Sequence, residues 1–91
     1  QNERWPRLAA LAIGGATLQY ELAAPGPVRL EIFRPDGGVL RVLRDGREQA
    51  GPHTVVWDGR DQQGAQAPAG VYFYRLETPA GAPCGKLILA H

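Results

Sequence analysis

From residue 16 onward, apolar and polar side chains alternate in short runs separated by glycine, proline and aspartate. In residues 17–22 the leucine and tyrosine positions share one face, and residues 28–32 repeat this alternation with charged residues on the other face. Because successive side chains of a strand point to opposite faces, the pattern predicts half-buried β-strands. Further strands are predicted at residues 39–43, 53–57, 70–78 and 86–90, with a short additional strand near residues 64–67.

Turn-forming residues lie between the predicted strands. Pro25-Gly26-Pro27 joins the first two strands, and residues 35–38 predict a tight turn because proline fixes one backbone angle and glycine accepts positive φ. A loop is expected between Asp45-Gly46 and Gly51-Pro52. Short strands without a convincing helix between them predict an all-β fold, an immunoglobulin-like (fibronectin III-like) antiparallel β-sandwich of about seven strands. A small barrel is the alternative.

The first fifteen residues follow a different pattern. A proline at position 6 and a glycine pair at positions 14 and 15 would bound a short helix, which is marginal on its own. We therefore interpret residues 1–15 as an N-terminal arm or linker and residues 16–91 as the sandwich domain. The alternative is that the arm packs on its own sandwich as a first strand. If exposed, the apolar side chains of the arm would form a partner-binding surface, made by Trp5, Leu8, Leu11 and Ile13.

Charge and composition exclude several classes of function. The 91 residues include 10 basic and 9 acidic ones, interleaved along the chain, so no basic stripe for nucleic acid is present. The longest mostly apolar run has nine residues, from 8 to 16, whereas a helix needs about 20 to span a bilayer. Membrane contact is therefore expected only through a partner. Because the chain begins with Gln1 and contains no methionine, we expect either a mature secreted chain or a domain cut from a longer protein.

The candidate chemistry is sparse. Asp58 and Asp61 form a close carboxylate pair that could hold a hard cation such as calcium, but they lack further acidic ligands at alternate positions. A turn built by aspartate hydrogen bonds and glycines explains them better. Cys84, His53 and His91 include the residue types of a thiol nucleophile and its base, but on different strands. We expect no enzyme activity, no metal and no cofactor.

Aromatic residues cluster in the most strand-like segment. Trp57, Val71 and Phe73 are predicted to pack in the core, which leaves Tyr72 or Tyr74 available for exposure. An exposed aromatic row would instead favour binding of a carbohydrate or a peptide. The residues predicted to have structural roles are Trp57, Asp58, Gly59, Asp61, Gly64, Gly70, Tyr72 and Phe73.

Three motifs in order, "HTVVWDGRDQQG", "PAGVYFYRL" and a closing "GKLILAH", resemble a known family. They are similar to the Ig-like module shared by the flagellar hook-capping protein and the C-terminal domains of many secreted bacterial proteins, including type IX secretion sorting domains. The resemblance covers about residues 16–91 and is most specific at residues 57–60 and 69–76. It implies a seven-stranded sandwich, no cofactor, protein partners and an extracytoplasmic setting, whether periplasmic, cell-surface or secreted.

The sorting branch of this family has a Pro-x-Gly-x-Tyr element and a lysine-bearing last strand, and residues 68–72 and 86–89 occupy those places here. Two departures are the Ala90-His91 end in place of a basic tail and "TPAGAPCG" in place of a glycine-rich polar turn. The expected function is a C-terminal sorting or attachment domain in which Lys86 meets the export machinery. The alternative is a stand-alone accessory or assembly subunit that docks through its N-terminal arm onto a larger periplasmic or membrane-anchored complex.

Overall fold

The strands follow the alternating pattern of the sequence. The computed structural model describes residues 9–12 and 16–90, and this part of the chain is all β, with no helix that could span a membrane. The strands are β1 (Ala9–Ala12), β2 (Ala16–Leu22), β3 (Gly26–Phe33), β4 (Val39–Glu48), β5 (Gly51–Trp57), β6 (Gly70–Glu77) and β7 (Cys84–Leu89).

These strands form two sheets. One sheet has the order β1-β2-β5 and the other the order β4-β3-β6-β7, and neighbouring strands are antiparallel throughout. The apolar positions of both sheets face each other and form one core. The predicted all-β sandwich is therefore confirmed, and the small barrel is not formed.

The arm contributes an edge strand. Residues 9–12 pair with β2 in the register Ala9↔Gln19 to Ala12↔Ala16, so this stretch is extended rather than helical. A helix of so few residues has little intrinsic stability, whereas the open edge of β2 offers backbone hydrogen-bond partners. The backbone of Leu11 lies in β1, while Trp5, Leu8 and Ile13 lie outside the described residues. The division into an arm of residues 1–15 and a sandwich of residues 16–91 stays a prediction.

Trp57 lies at the centre of the core. Its side chain is fully buried and contacts the Tyr72 ring of the opposite sheet edge-on, with ring centroids 5.7 Å apart. The indole N–H donates a 2.9 Å hydrogen bond to the Arg60 carbonyl, so its one polar atom is satisfied. The core prediction for Trp57 is confirmed.

The core prediction for Phe73 and Val71 is wrong. Phe73 is 40% exposed and Val71 39% exposed, whereas Tyr72 and Leu76 are buried. Alternation shows which residues share a face but not which face points inward. Tyr72 takes the inner face because its ring meets Trp57 and its hydroxyl donates a 2.5 Å hydrogen bond to the Pro68 carbonyl.

Two further details differ from the prediction. The β4 strand continues through Asp45-Gly46, where the sequence predicted a loop, because these two residues pair with Arg29 and Val28 of β3. Register shifts beside Leu30 and Ile32 absorb the mismatch between the two strands. Residues 64–67 form no strand, and a single bridge joins Arg60 and Gln66 there.

A polar cluster fixes the turn between β4 and β5 to the smaller sheet. The Tyr20 hydroxyl donates a 2.5 Å hydrogen bond to Glu48 Oε1, and the Tyr20 ring stacks on His53 with centroids 5.2 Å apart. His53 Nε2 also lies 2.7 Å from the Gln49 carbonyl oxygen. Burial, together with the Glu48 carboxylate, raises the pKa of the Tyr20 phenol above its ordinary value. The end of β4, a strand of the four-stranded sheet, is thereby attached to the three-stranded sheet.

Replacing Trp57 with alanine is expected to reduce the free energy of unfolding by about 3–5 kcal/mol, because the change leaves a large cavity between the sheets. The matched control is Val56→Ala at the adjacent position, where the side chain is 67% exposed and the expected loss is below about 0.5 kcal/mol. Urea denaturation measures both values. Equal losses in the two variants would contradict the central place of the indole in the core.

Candidate protein-interaction surface

The loop after β5 is a turn stabilised by two aspartates. Asp58 Oδ1 accepts hydrogen bonds from the Arg60 backbone N–H at 3.0 Å and from the Arg41 guanidinium at 3.2 Å. Asp61 Oδ1 accepts from the backbone N–H groups of Gln63 and Ala65 at 3.0 and 2.9 Å. The turn interpretation of these aspartates is confirmed.

Glycine is required at two positions of this loop. Gly59 has a φ of 80° and Gly64 a φ of 88°, in the left-handed region that side chains with a Cβ rarely adopt. The third predicted glycine, Gly70, opens β6. The predicted structural glycines therefore lie where the chain turns or begins a strand.

The structure does not bring the other candidate chemical groups together. Cys84 is exposed at the start of β7, whereas His53 lies on the other sheet in the cluster with Tyr20. His91 lies outside the described residues. Among the residues that the structure describes, no group of three or more His, Cys, Asp or Glu side chains is placed to hold a metal ion.

The outer face of the four-stranded sheet carries a row of apolar side chains, which we call the outer apolar row. Cross-strand pairing places Phe33 opposite both Val39 and Phe73, and Val71 opposite Ile88. These five side chains are partly or largely exposed, with Ile88 at 59% and Phe73 at 40%. Alternation along β3, β6 and β7 thus exposes a contiguous apolar surface on one sheet.

A charged ladder borders this row on the same face. Glu31 is buried, and its carboxylate lies 3.0 Å from Arg29 Nε and 3.3 Å from Arg75 Nη2. The Arg75 guanidinium also lies over the Phe33 ring, 5.1 Å from its centroid. The hydrogen bond from Arg29 to Glu31 raises the pKa of the Arg29 guanidinium above its ordinary value. The carboxylate thus pairs with two arginines, one on its own strand and one on β6.

A shallow groove of about 540 Å³ lies at one end of the row, between the turn after β3 and the start of β7. Its lining contains the apolar residues Phe33, Pro35 and Phe73 and the cationic residues Arg34, Arg75 and Lys86. Lys86 lies directly opposite Phe73 across the β6–β7 pair, and its side chain is exposed. The predicted partner-binding role of Lys86 stays a prediction, but its position is at this surface.

Sequence reasoning missed most of this surface. Ile88 was visible as an apolar member of the predicted strand at residues 86–90, and Phe33 directly follows the predicted strand at residues 28–32. The pattern gave no indication that the two side chains point outward on the same face. Arg34 lies in a turn and carried no motif. The signal that could have found the surface is the shared period of β3 and β6, which aligns Glu31 with Arg75 and Phe33 with Phe73.

Comparison with known proteins identifies related chains. A family model described as the FlgD Ig-like domain matches residues 10–81. The basal-body rod modification protein FlgD of Salmonella typhimurium is 42% identical over 53 residues, and the protein of the same name from Salmonella typhi matches equally well. Each match covers 57% of this chain and 23% of the relative, so the similarity spans less than a quarter of the length of these relatives.

Replacing Asp61 with alanine removes the acceptor of two backbone N–H groups and is expected to cost about 1–2 kcal/mol of stability. Asp61→Asn, which keeps an acceptor oxygen, is the matched control and should lose less.

Calcium and chelator are expected to leave the melting temperature of the wild-type chain unchanged. A calcium-dependent rise in that temperature, abolished in Asp61→Ala, would instead show a cation site in the turn.

Replacing Glu31 with glutamine is expected to cost about 1–3 kcal/mol, because the amide cannot accept from both arginines and presents its own N–H groups to them. Glu77→Gln is the control, since the Glu77 side chain is 45% exposed and lies 3.4 Å from the same Arg75, and its expected cost is below about 0.5 kcal/mol. Urea denaturation compares the two. A Glu31→Gln loss no larger than that of the control would contradict the role assigned to the buried carboxylate.

Proposed function

This chain belongs to the FlgD Ig-like domain family, and we propose that it is a non-catalytic protein-interaction module that acts in flagellar assembly, as the hook-capping members of the family do. The observation that carries the proposal is the outer apolar row on the four-stranded sheet. Of the two functions expected from the sequence, we retain the assembly role rather than the sorting role, but we place the partner on the outer apolar row instead of the N-terminal arm. The matches support the hook-capping branch of the resemblance and give no support to the sorting branch.

The distribution of exposed apolar side chains supports a protein partner. Among the described residues, five large hydrophobic side chains are exposed, and four of them lie in the outer apolar row. Contiguous apolar patches with polar borders mark protein-interaction sites, and aromatic residues with arginines are enriched in them. The outer apolar row contains Phe33 and Phe73 and is bordered by Arg75, so its composition is that of an interface.

The hydrogen bonds and ion pairs of the carboxylates support the non-catalytic part of the proposal. The paired aspartates accept hydrogen bonds from backbone N–H groups and an arginine, and Glu31 is engaged by two arginines. These carboxylates have structural partners: the two aspartates share one loop, and Glu31 lies in β3 of the four-stranded sheet. The setting that accompanies this function is extracytoplasmic, as the hook-capping resemblance implies.

The proposal is tested by placing a photo-crosslinking amino acid at position 73 of the chain, expressed in the bacterium that encodes it. Position 56, which is apolar and 67% exposed on β5 of the other sheet, is the matched control. We expect the probe at position 73 to capture a rod or hook component and the probe at position 56 to capture none. Capture of type IX export components at position 73, or equal capture at both positions, would overturn the proposal.

A further inference from the structure

The charged side chains that line the groove beside the outer apolar row are all positive. Arg34, Arg75 and Lys86 line it, and its lining contains no aspartate or glutamate. The nearest acidic residue along the chain is Asp36, whose Oδ1 accepts a 2.8 Å hydrogen bond from the Gly38 N–H within the turn. The groove therefore combines an apolar floor with an excess of positive charge.

Two of the three cations lack an acidic partner. Arg75 is engaged by Glu31 and Glu77 at 3.3 and 3.4 Å. Arg34 donates a hydrogen bond to the Val39 carbonyl at 3.1 Å, and within residues 9–12 and 16–90 no carboxylate lies within ion-pair distance of Arg34 or Lys86. Both side chains are exposed and retain donors for a ligand.

The floor of the groove suits an apolar side chain. Phe33 and Phe73 are paired across β3 and β6, and Pro35 lies beside them at the turn. Aromatic rings give large contact areas at low cost in conformational entropy, which makes them good anchors for a partner side chain. A carboxylate next to that side chain would meet the cations of the rim.

We propose that this groove binds an acidic segment of a protein partner, in which an aspartate or glutamate lies between Arg34 and Lys86 and a neighbouring apolar side chain packs on Phe33 and Phe73. This inference takes one premise from the proposed function, namely that the partner is a protein. The choice of an acidic segment follows from charge complementarity, which steers association and selects against basic partners. Because Arg34 and Lys86 are exposed, their contribution decreases as salt screens them.

The test selects peptides from a random phage-displayed library on the immobilised 91-residue chain. We expect enrichment of peptides with an acidic residue next to an aromatic or aliphatic one. A fluorescein-labelled copy of the strongest peptide is then titrated with the chain by fluorescence anisotropy, at low and at high salt. Lys86→Glu and Arg34→Glu are each expected to weaken binding about tenfold or more, because each replaces an attraction by a repulsion. Binding by the wild-type chain is expected to weaken as salt rises.

Arg47→Glu is the matched control, since Arg47 is also exposed but pairs with Pro27 at the opposite end of β3 from Phe33. It changes the net charge equally and should leave the affinity within about twofold. Thermal unfolding checks that the three variants remain folded. An apolar contact is tested by Phe73→Ser, which should also weaken binding.

Several outcomes would overturn the inference. These are enrichment of basic or uncharged peptides, equal weakening by Lys86→Glu and Arg47→Glu, or displacement of the peptide by inorganic phosphate alone, which would mark a simple anion site. Failure here is distinguishable from failure of the proposed function. Capture of a hook component at position 73 without acidic preference would reject the groove chemistry, whereas acidic preference with capture of export components would reject the assembly function.

Discussion

The buried indole of Trp57 is the contact on which the rest of the sandwich depends. Its ring meets Tyr72 from the opposite sheet, and its N–H must find an acceptor because an unpaired buried donor is costly. The acceptor is the Arg60 carbonyl, so the polar loop after β5 folds back over the ring. Gln62 in this loop then bonds to the backbone of Leu40 and Val42 in β4. A single side chain thereby positions both sheets and the loop that connects them.

The exposed surface is a geometric consequence of this contact. Tyr72 must point inward to reach Trp57, and alternation along β6 then sends Val71 and Phe73 outward. Pairing with β3 adds Phe33, which lies opposite Phe73. Two packed sheets bury only their facing sides, so the outer face of β6 is exposed in the part of the chain that the structure describes.

The sequence predicted the strands and the shared faces well, because both depend on local alternation and turn residues. It could not show which face of β6 points inward, since apolarity alone favours Phe73 over Tyr72, whereas the choice depends on the distant Trp57 and on a partner for the Tyr72 hydroxyl. The continuation of β4 through Asp45 was also hidden, because Asp45 is held there by Arg29 of β3 at 2.8 Å. The burial of Glu31 depends likewise on Arg75, which lies 44 positions later in the chain. Contacts between strands decided each of these points.

Glu31 also affects how charge is distributed along the outer face of the four-stranded sheet. Its carboxylate forms ion pairs with Arg29 and Arg75 within the sheet, so opposite charges nearly balance in the middle of the face. Arg34 and Lys86 lie beyond the reach of Glu31, at the end where the aromatic pair is exposed. Exposed pairs within the ladder add little stability, whereas unpaired cations beside apolar side chains attract an incoming carboxylate, most strongly at low salt. The buried acid therefore offsets the charge of two arginines in the middle of the face, whereas Arg34 and Lys86 at its end have no acidic partner among the described residues.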